Sequence, residues 1–455
     1  MAAVETTDSV RLPPGPTIPK LLQELGFVTV RGRVVAALEQ RYGPAFALRL
    51  PIFGDTIVIG DPALVRDLFT SREDLIVSGG MLGDVFGPGS TFSLHGEEHR
   101  LRRKLLVPPF HGKRMQGYEH FFEEEVRREV ATWPKGREIA TLQPMIRITL
   151  NAMLRIVFGA EGRALEELRV LLPRGIALGS RLAVLPPIAR RDFGPWSPWG
   201  RVQRIRRRYD MIVESLIDTA LADPAFHERR DVLSLLVQAR YDDGTQICRQ
   251  HIADELLTLL AAGHETTAAT LAWAVERLRR HPDLLERLTD EIDAAGSSLL
   301  QATIWEIQRT RPVIDVTLRL TQKRVRLGEW VIPPGRTIIV AIAMAHASEA
   351  AFPNASTFDP DRYHGASPGS YTWIAYGGGI RRCIGAAFAN MAMIVVLRTL
   401  LSDLTFTTTK KRDESARSRG VAIAPRRGGR AVVYPQANRL HAHSDASVAS
   451  PQPTS

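Results

Sequence analysis

The sequence predicts a mainly α fold with small β-sheets, an α+β arrangement in which helices dominate. Three observations predict it. Apolar residues recur at helical spacing over most of the chain, β-type segments are short and come from both ends, and no repeat or Ser/Gly-rich linker divides the middle. A length of 455 residues would allow about three average domains, but the undivided middle favours one. Hydrophobic residues at 44% supply a large core and exclude a mainly disordered chain.

The elements follow in order. Residues 1–12 are polar and are expected to be disordered, leading into the stiff Pro13-Pro14-Gly15-Pro16. Phe46–Leu50 and Thr56–Ile59 read as a hairpin. His120–Trp133 is a charged amphipathic helix, and Leu142–Phe158 keeps an apolar face. Gln250–Arg280 is the longest helical pattern, about 45 Å at 1.5 Å per residue, closed by His281-Pro282. Asp283–Ala294 and Leu299–Arg309 continue as helices. Short strands are expected at Arg324–Leu327, Trp330–Ile332 and Thr337–Ile342, then at Gly420–Pro425 with Ala431–Tyr434. Ile384–Leu401 is nearly all apolar, hence a core helix. A single domain over 13–435 and a disordered tail over 436–455, rich in Ser, Ala, Pro and His, complete the organisation.

Several function classes fall away on composition. Two cysteines exclude a disulfide scaffold and a four-cysteine zinc site. No run reaches the roughly 18 apolar residues of a membrane span, and the acidic N-terminus does not read as a secretory signal. A cytoplasmic protein without a transmembrane anchor is expected. The formal charge of +10 is patchy, with six Lys/Arg in 99–114, five Arg in 201–208 and eight Lys/Arg in 410–430. Neither aromatic interleaving nor a reader motif accompanies these clusters, which argues against nucleic acid. Solvated faces, an acidic protein partner or an anionic cofactor all fit them.

The chemistry concentrates in Tyr376-Gly377-Gly378-Gly379-Ile380-Arg381-Arg382-Cys383-Ile384-Gly385, which runs straight into the apolar helix. Glycines let backbone pass close to a flat, bulky group. The helix N-terminus, Arg381 and Arg382 favour a thiolate. A buried structural cysteine leaves the glycines and arginines unexplained, and a nucleophile needs a histidine that spacing cannot place. The segment resembles the haem-binding signature of the cytochrome P450 family, Phe-x-x-Gly-x-Arg-x-Cys-x-Gly, with Tyr376 for Phe. That resemblance implies Cys383 as axial thiolate on the iron of haem b, with Tyr376, Gly377, Arg381 and Gly385 around the cofactor.

Four further segments extend the resemblance in the expected order. Ala262-Gly263-His264-Glu265-Thr266-Thr267 is similar to the family's oxygen-activation motif. It is not a zinc-protease helix, because position 268 is Ala. Thr266 can bond back to the Ala262 carbonyl and loosen the helix, and the resemblance makes Glu265 and Thr266 a proton relay. Glu306-Ile307-Gln308-Arg309 and the Phe358–Tyr363 segment resemble the family's Glu-x-x-Arg and Pro-x-Arg elements, implying a structural network of Glu306, Arg309 and Arg362. His99 and Arg103, four apart on one helix face, match a propionate clamp, with Arg381 and Arg319 as further partners.

The resemblance implies a P450 fold with haem between the long helix and the Cys loop with its following helix. The activity implied is a monooxygenase that takes O2, a hydrophobic small molecule, and electrons from a ferredoxin with its NAD(P)H-dependent reductase. A basic face near Cys383 would dock the acidic carrier. Pocket walls are expected from 74–94, 168–199, 259–262, 313–318 and 421–424; the 168–199 span suits loop packing or an apolar lid touching a membrane surface. The alternatives are a peroxide-driven peroxygenase or decarboxylase on the same fold, and a non-catalytic haem sensor. Cys248 has no assigned role.

Overall fold

The computed structural model describes residues 2–72, 74–78, 82–159, 162–407 and 412–436. Helices form the main body, and the largest sheet lies to one side of it. That sheet has five strands in the order Ala45–Leu50, Gly54–Ile59, Thr337–Ala341, Val316–Thr321, Ile76–Ser78. Its first two strands form the expected antiparallel hairpin, with Phe46 opposite Val58. The one parallel step joins Gly54–Ile59 to Thr337–Ala341.

The long helix runs unbroken from Arg249 to Leu278 and is buried along most of its length. Leu142–Phe158 packs along it, and Ala386–Asp403 and Ser298–Thr310 contact it as well. Their buried Leu, Ile, Val, Met and Trp273 form one continuous core, each large apolar side chain contributing about 1.5–3 kcal/mol by leaving water. Ala386–Asp403 has the length and hydropathy of a membrane span, but its Phe388, Val396 and Leu400 are buried in this core. Cys248 is the exposed N-cap residue of the long helix and makes no side-chain cap bond.

Three expectations need correction. Residues 2–12 are not disordered: Val4 and Glu5 pair with Arg326 and Val325, Arg11 bridges Val331, and Ala3 is buried. Polar side chains do not prevent this, because the open edge of Val325–Leu327 recruits main-chain hydrogen bonds. The C-terminal strands do not pair with each other. Ile423–Pro425 pairs with Ala416–Ser418, whereas Arg430–Pro435 lies between Leu404–Thr407 and Glu138–Ala140. Helices at Lys20–Tyr42, Arg163–Ala183 and Pro198–Leu221 add to those expected. The expected tail lies, beyond Gln436, outside the described residues.

Candidate functional site

The cysteine segment is a compact loop closed by its own backbone. Cys383 N–H donates to Tyr376 O at 3.0 Å and Gly377 N–H to Ile374 O at 2.9 Å. Gly379 has φ +66°, and a Cβ there would lie 2.2 Å from the Phe69 carbonyl oxygen. The loop therefore touches backbone on one side. The other side is open: nothing lies within 4 Å of where a Cβ would stand on Gly377 or Gly385. Cys383 is reachable by solvent, yet burial is the leading influence on its thiol and pushes its pKa up. Both hold because the sulfur faces a hollow enclosed by protein. Gly385 N–H, Arg103 and Arg382 act the other way, toward thiolate, but do not overcome burial. The expected help from Arg381 is absent. Its guanidinium turns to the carbonyls of Thr91 (3.1 Å) and Leu94 (2.6 Å).

Positive charge gathers around this hollow. His99 and Arg103 sit on the helix Gly96–Leu106. Burial, then Arg381, Arg103 and His95, push the His99 pKa down to about 3, so the ring is neutral. Arg319 projects from Val316–Thr321 against the Phe69 ring and donates weakly to Gly378 O at 3.4 Å. Burial and the Arg381 charge bring its pKa to about 10. Among the described residues, no carboxylate acts on Arg103 or Arg319. Arg319 is buried and Arg103 half-buried; removing such charges from water without an acid is costly, so the arrangement suits an anionic group.

On the long helix, Thr266 Oγ1 donates to Ala262 O at 2.6 Å. The bond forms as expected, but the helix stays continuous across it rather than loosening. Ala262 is nonetheless exposed amid buried neighbours, so this stretch borders open space. Glu265 is buried and accepts from Arg419 Nε at 3.1 Å. Behind the Cys loop, Glu306 takes a two-pronged bond from Arg309 (2.7 Å each), a third from Arg362 (3.2 Å) and a fourth from Asp359 N–H (2.9 Å). Arg309 also donates to the carbonyls of His346, Ala355 and Thr357. The three residues thus tie the helix Ser298–Thr310 to the segment preceding the loop.

The family model for cytochrome P450 matches residues 13–429. The chain belongs to the cytochrome P450 family. It is 52% identical over 426 residues to cytochrome P450 138 of Mycobacterium tuberculosis, covering 93% of this chain and 96% of that one. It is 35% identical over 409 residues to cytochrome P450 137 of the same organism, covering 89% and 86%. A solved structure described as retinoic acid bound cyanobacterial CYP120A1 superposes with a TM-score of 0.84 at 24% identity, covering 94% of this chain and 100% of that one. P450 enzymes are haem-thiolate oxidoreductases, monooxygenases that use O2, a hydrophobic substrate and redox partners.

The residues of this P450 fit such a cofactor. A cysteine facing the hollow, glycines with open space on the same loop, and Arg103 and Arg319 with no carboxylate among the described groups acting on them suit an iron ligand, a flat ring and anionic substituents. Four of the five expected pocket segments are linked to one another. Val421 N–H donates to Ser180 Oγ (2.9 Å) and Ile423 N–H to Val313 O (2.8 Å). A Cβ on Gly179 would meet Val85 at 2.8 Å.

Sequence reasoning missed several residues of the P450 site. Gln308 Nε2 donates to the Tyr376 hydroxyl at 2.9 Å. Asp254 and Glu255 accept from Gly89 N–H (2.7 Å) and Thr91 N–H (2.9 Å), and Arg102 donates to Gly89 O (2.6 Å). Together with Arg381 they staple residues 89–94 between the long helix and the Cys loop. The signal was two adjacent acids in an apolar helix run. The basic clusters are partly neutralised within the fold. Arg102 is buried, Lys104 pairs with Asp242, Arg206 with Asp254 and Asp210, Arg208 with Glu167, and Arg430 with Glu138.

Proposed function

We propose that this chain inserts one oxygen atom from O2 into a C–H or C=C bond of a hydrophobic organic molecule, with haem b as cofactor. Electrons would come from a separate ferredoxin and its NAD(P)H-dependent reductase. When bound, an iron porphyrin supplies oxygen activation, and a thiolate ligand adds the electron density that favours O–O cleavage. Cys383 would supply the thiolate, since coordination would favour the deprotonated sulfur over the thiol that burial favours. Arg103, Arg319 and Arg381, with neutral His99 as hydrogen-bond partner, hold the anionic edge of the cofactor. Thr266 and Glu265 carry protons to the reacting oxygen from the open side of the long helix. Arg382, exposed beside Cys383, belongs to the face that meets the acidic carrier. Leu185, Ile188, Phe193 and Trp196 are exposed and are the residues a peripheral membrane contact would use.

The observation that carries this reading is Cys383 on a glycine loop, with half-buried Arg103 and buried Arg319 nearby and no carboxylate among the described groups acting on either arginine. The reduced, CO-bound protein tests it. A strongly red-shifted Soret band, lost in Cys383→Ala, is expected. NADPH consumption with a surrogate ferredoxin and reductase should then depend on O2 and rise with a spin-shifting apolar ligand. Turnover with hydrogen peroxide alone, as fast as with O2 and electrons, would overturn the monooxygenase reading in favour of a peroxygenase.

A further inference from the structure

The segment after the long apolar helix returns to the site as a tight turn between the strands Ala416–Ser418 and Ile423–Pro425. Arg419 N–H donates to Ala422 O at 2.8 Å and closes it. Gly420 has φ +122°, and a Cβ there would lie 2.4 Å from Ser180 Oγ and 2.5 Å from the Ser180 carbonyl carbon. Only glycine lets the turn lie against the backbone of the helix Arg163–Ala183. Ser180 Oγ then accepts from Val421 N–H. From this seat the half-buried Arg419 reaches Glu265, and among the described residues it is the one cation within ion-pair distance of that carboxylate.

We propose that Arg419 is a positioning residue that holds the Glu265 carboxylate, and that the seat of its turn on Ser180 couples the helix Arg163–Ala183 to proton delivery. This rests on Glu265 being part of the relay. A carboxylate tethered at Oε1 cannot swing freely, so its proton transfers occur from one orientation. Outward movement of Arg163–Ala183 removes the seat under Gly420 and Val421, frees the turn that presents Arg419 and so loosens its hold on Glu265.

The test uses the holoenzyme with NADPH, a surrogate ferredoxin and reductase, and O2 as the only acceptor. Two electrons and two protons turn O2 into H2O2; four of each turn it into two H2O, and that second route draws on the relay. In Arg419→Gln, with the CO spectrum intact, the peroxide released per NADPH should rise about threefold and the solvent isotope effect on NADPH consumption should increase. Arg419→Lys, which keeps the charge, should stay within about twofold of the native enzyme. Ser180→Ala should move both readings in the same direction, with nothing added on top of Arg419→Gln. Hydrogen exchange over 416–424 should be about tenfold faster in Ser180→Ala and Arg419→Gln, and unchanged in Arg417→Gln, whose exposed side chain lies on the same hairpin. Native peroxide partition and isotope effect in Arg419→Gln, with both altered in Glu265→Gln, would sink the proposal and leave the relay standing. A native partition in Glu265→Gln would sink the relay itself. Should Arg419→Gln fail to fold, Ser180→Ala with native partition, isotope effect and exchange overturns the coupling.

Discussion

At position 376 the chain carries tyrosine where the family signature has phenylalanine, and the extra hydroxyl is bonded by Gln308 Nε2. The ring packs edge-on against Trp373, and burial pushes the phenol pKa well up, so it stays protonated. Gln308 Oε1 is already buried without a partner. Tyr376→Phe therefore strands the whole amide and should cost about 1–3 kcal/mol, read as a lower urea midpoint. Adding Gln308→Leu should recover most of the loss. Arg309 stands in a harsher setting. Its removal leaves Glu306 buried with only Arg362 as cation, so Arg309→Ala should lose about 3–5 kcal/mol. The expected signature is protein purified with little haem rather than altered specificity. The Glu-x-x-Arg spacing was legible in sequence because its partners share one helix. Gln308 was not, because its partner is 68 residues away.

The long helix works as an element through both of its faces. Asp254 and Glu255, near its start, hold residues 89–94, while the Glu265–Thr266 stretch borders the open side. Burial raises the Glu255 pKa to about 7 against the opposing pull of Thr91 and Arg102. A carboxyl raised in the fold holds its proton longer than in the unfolded chain. Its contribution to stability is full below the ordinary value near 4.5 and is lost as pH rises through about 7. Glu255→Gln, which never ionises, should gain on the native protein as pH climbs from 5 to 8, by at most about 1.4 kcal/mol per pH unit. Melting temperatures at the two pH values check this. Periodicity made the helix legible to within two residues of its ends. The loop it holds was illegible, because 89–94 has no pattern of its own and takes its shape from distant side chains.

For the whole molecule, acid stability draws on His346, buried where the Glu306 network meets the approach to the Cys loop. Its Nδ1–H donates to Arg309 O at 3.2 Å, and Nε2 accepts from Ile374 N–H at 2.9 Å, so only the neutral ring satisfies both. Burial, with some help from the Arg309 charge, pushes its pKa down to about 3. The unfolded chain takes up this proton near 6.5 and the folded one does not. The stability involved is full above 6.5 and falls as pH drops toward 3. Urea midpoints measured from pH 7 to pH 4 should decline, and His346→Gln should decline less steeply by about one proton's worth. A variant as steep as the native protein would exclude His346 as the titrating group.

The sequence by itself determined the class of fold, the long helices and the cysteine loop, because periodicity and motif spacing are local properties of the chain. It also singled out Cys383, the arginines and the Glu265–Thr266 pair as candidates for the chemistry, since glycines, cations and polar residues in apolar runs are costly without a purpose. Only the tertiary structure decided the rest. It turned Arg381 onto Thr91 and Leu94, gave Tyr376 its Gln308, paired residues 4–5 with an open strand edge and drew part of each basic cluster into ion pairs. It also brought Arg419 to Glu265 across 154 residues of sequence. The physical reason is range. Hydrogen bonds and ion pairs act over a few ångströms, and no local pattern records which distant side chains the fold brings that close.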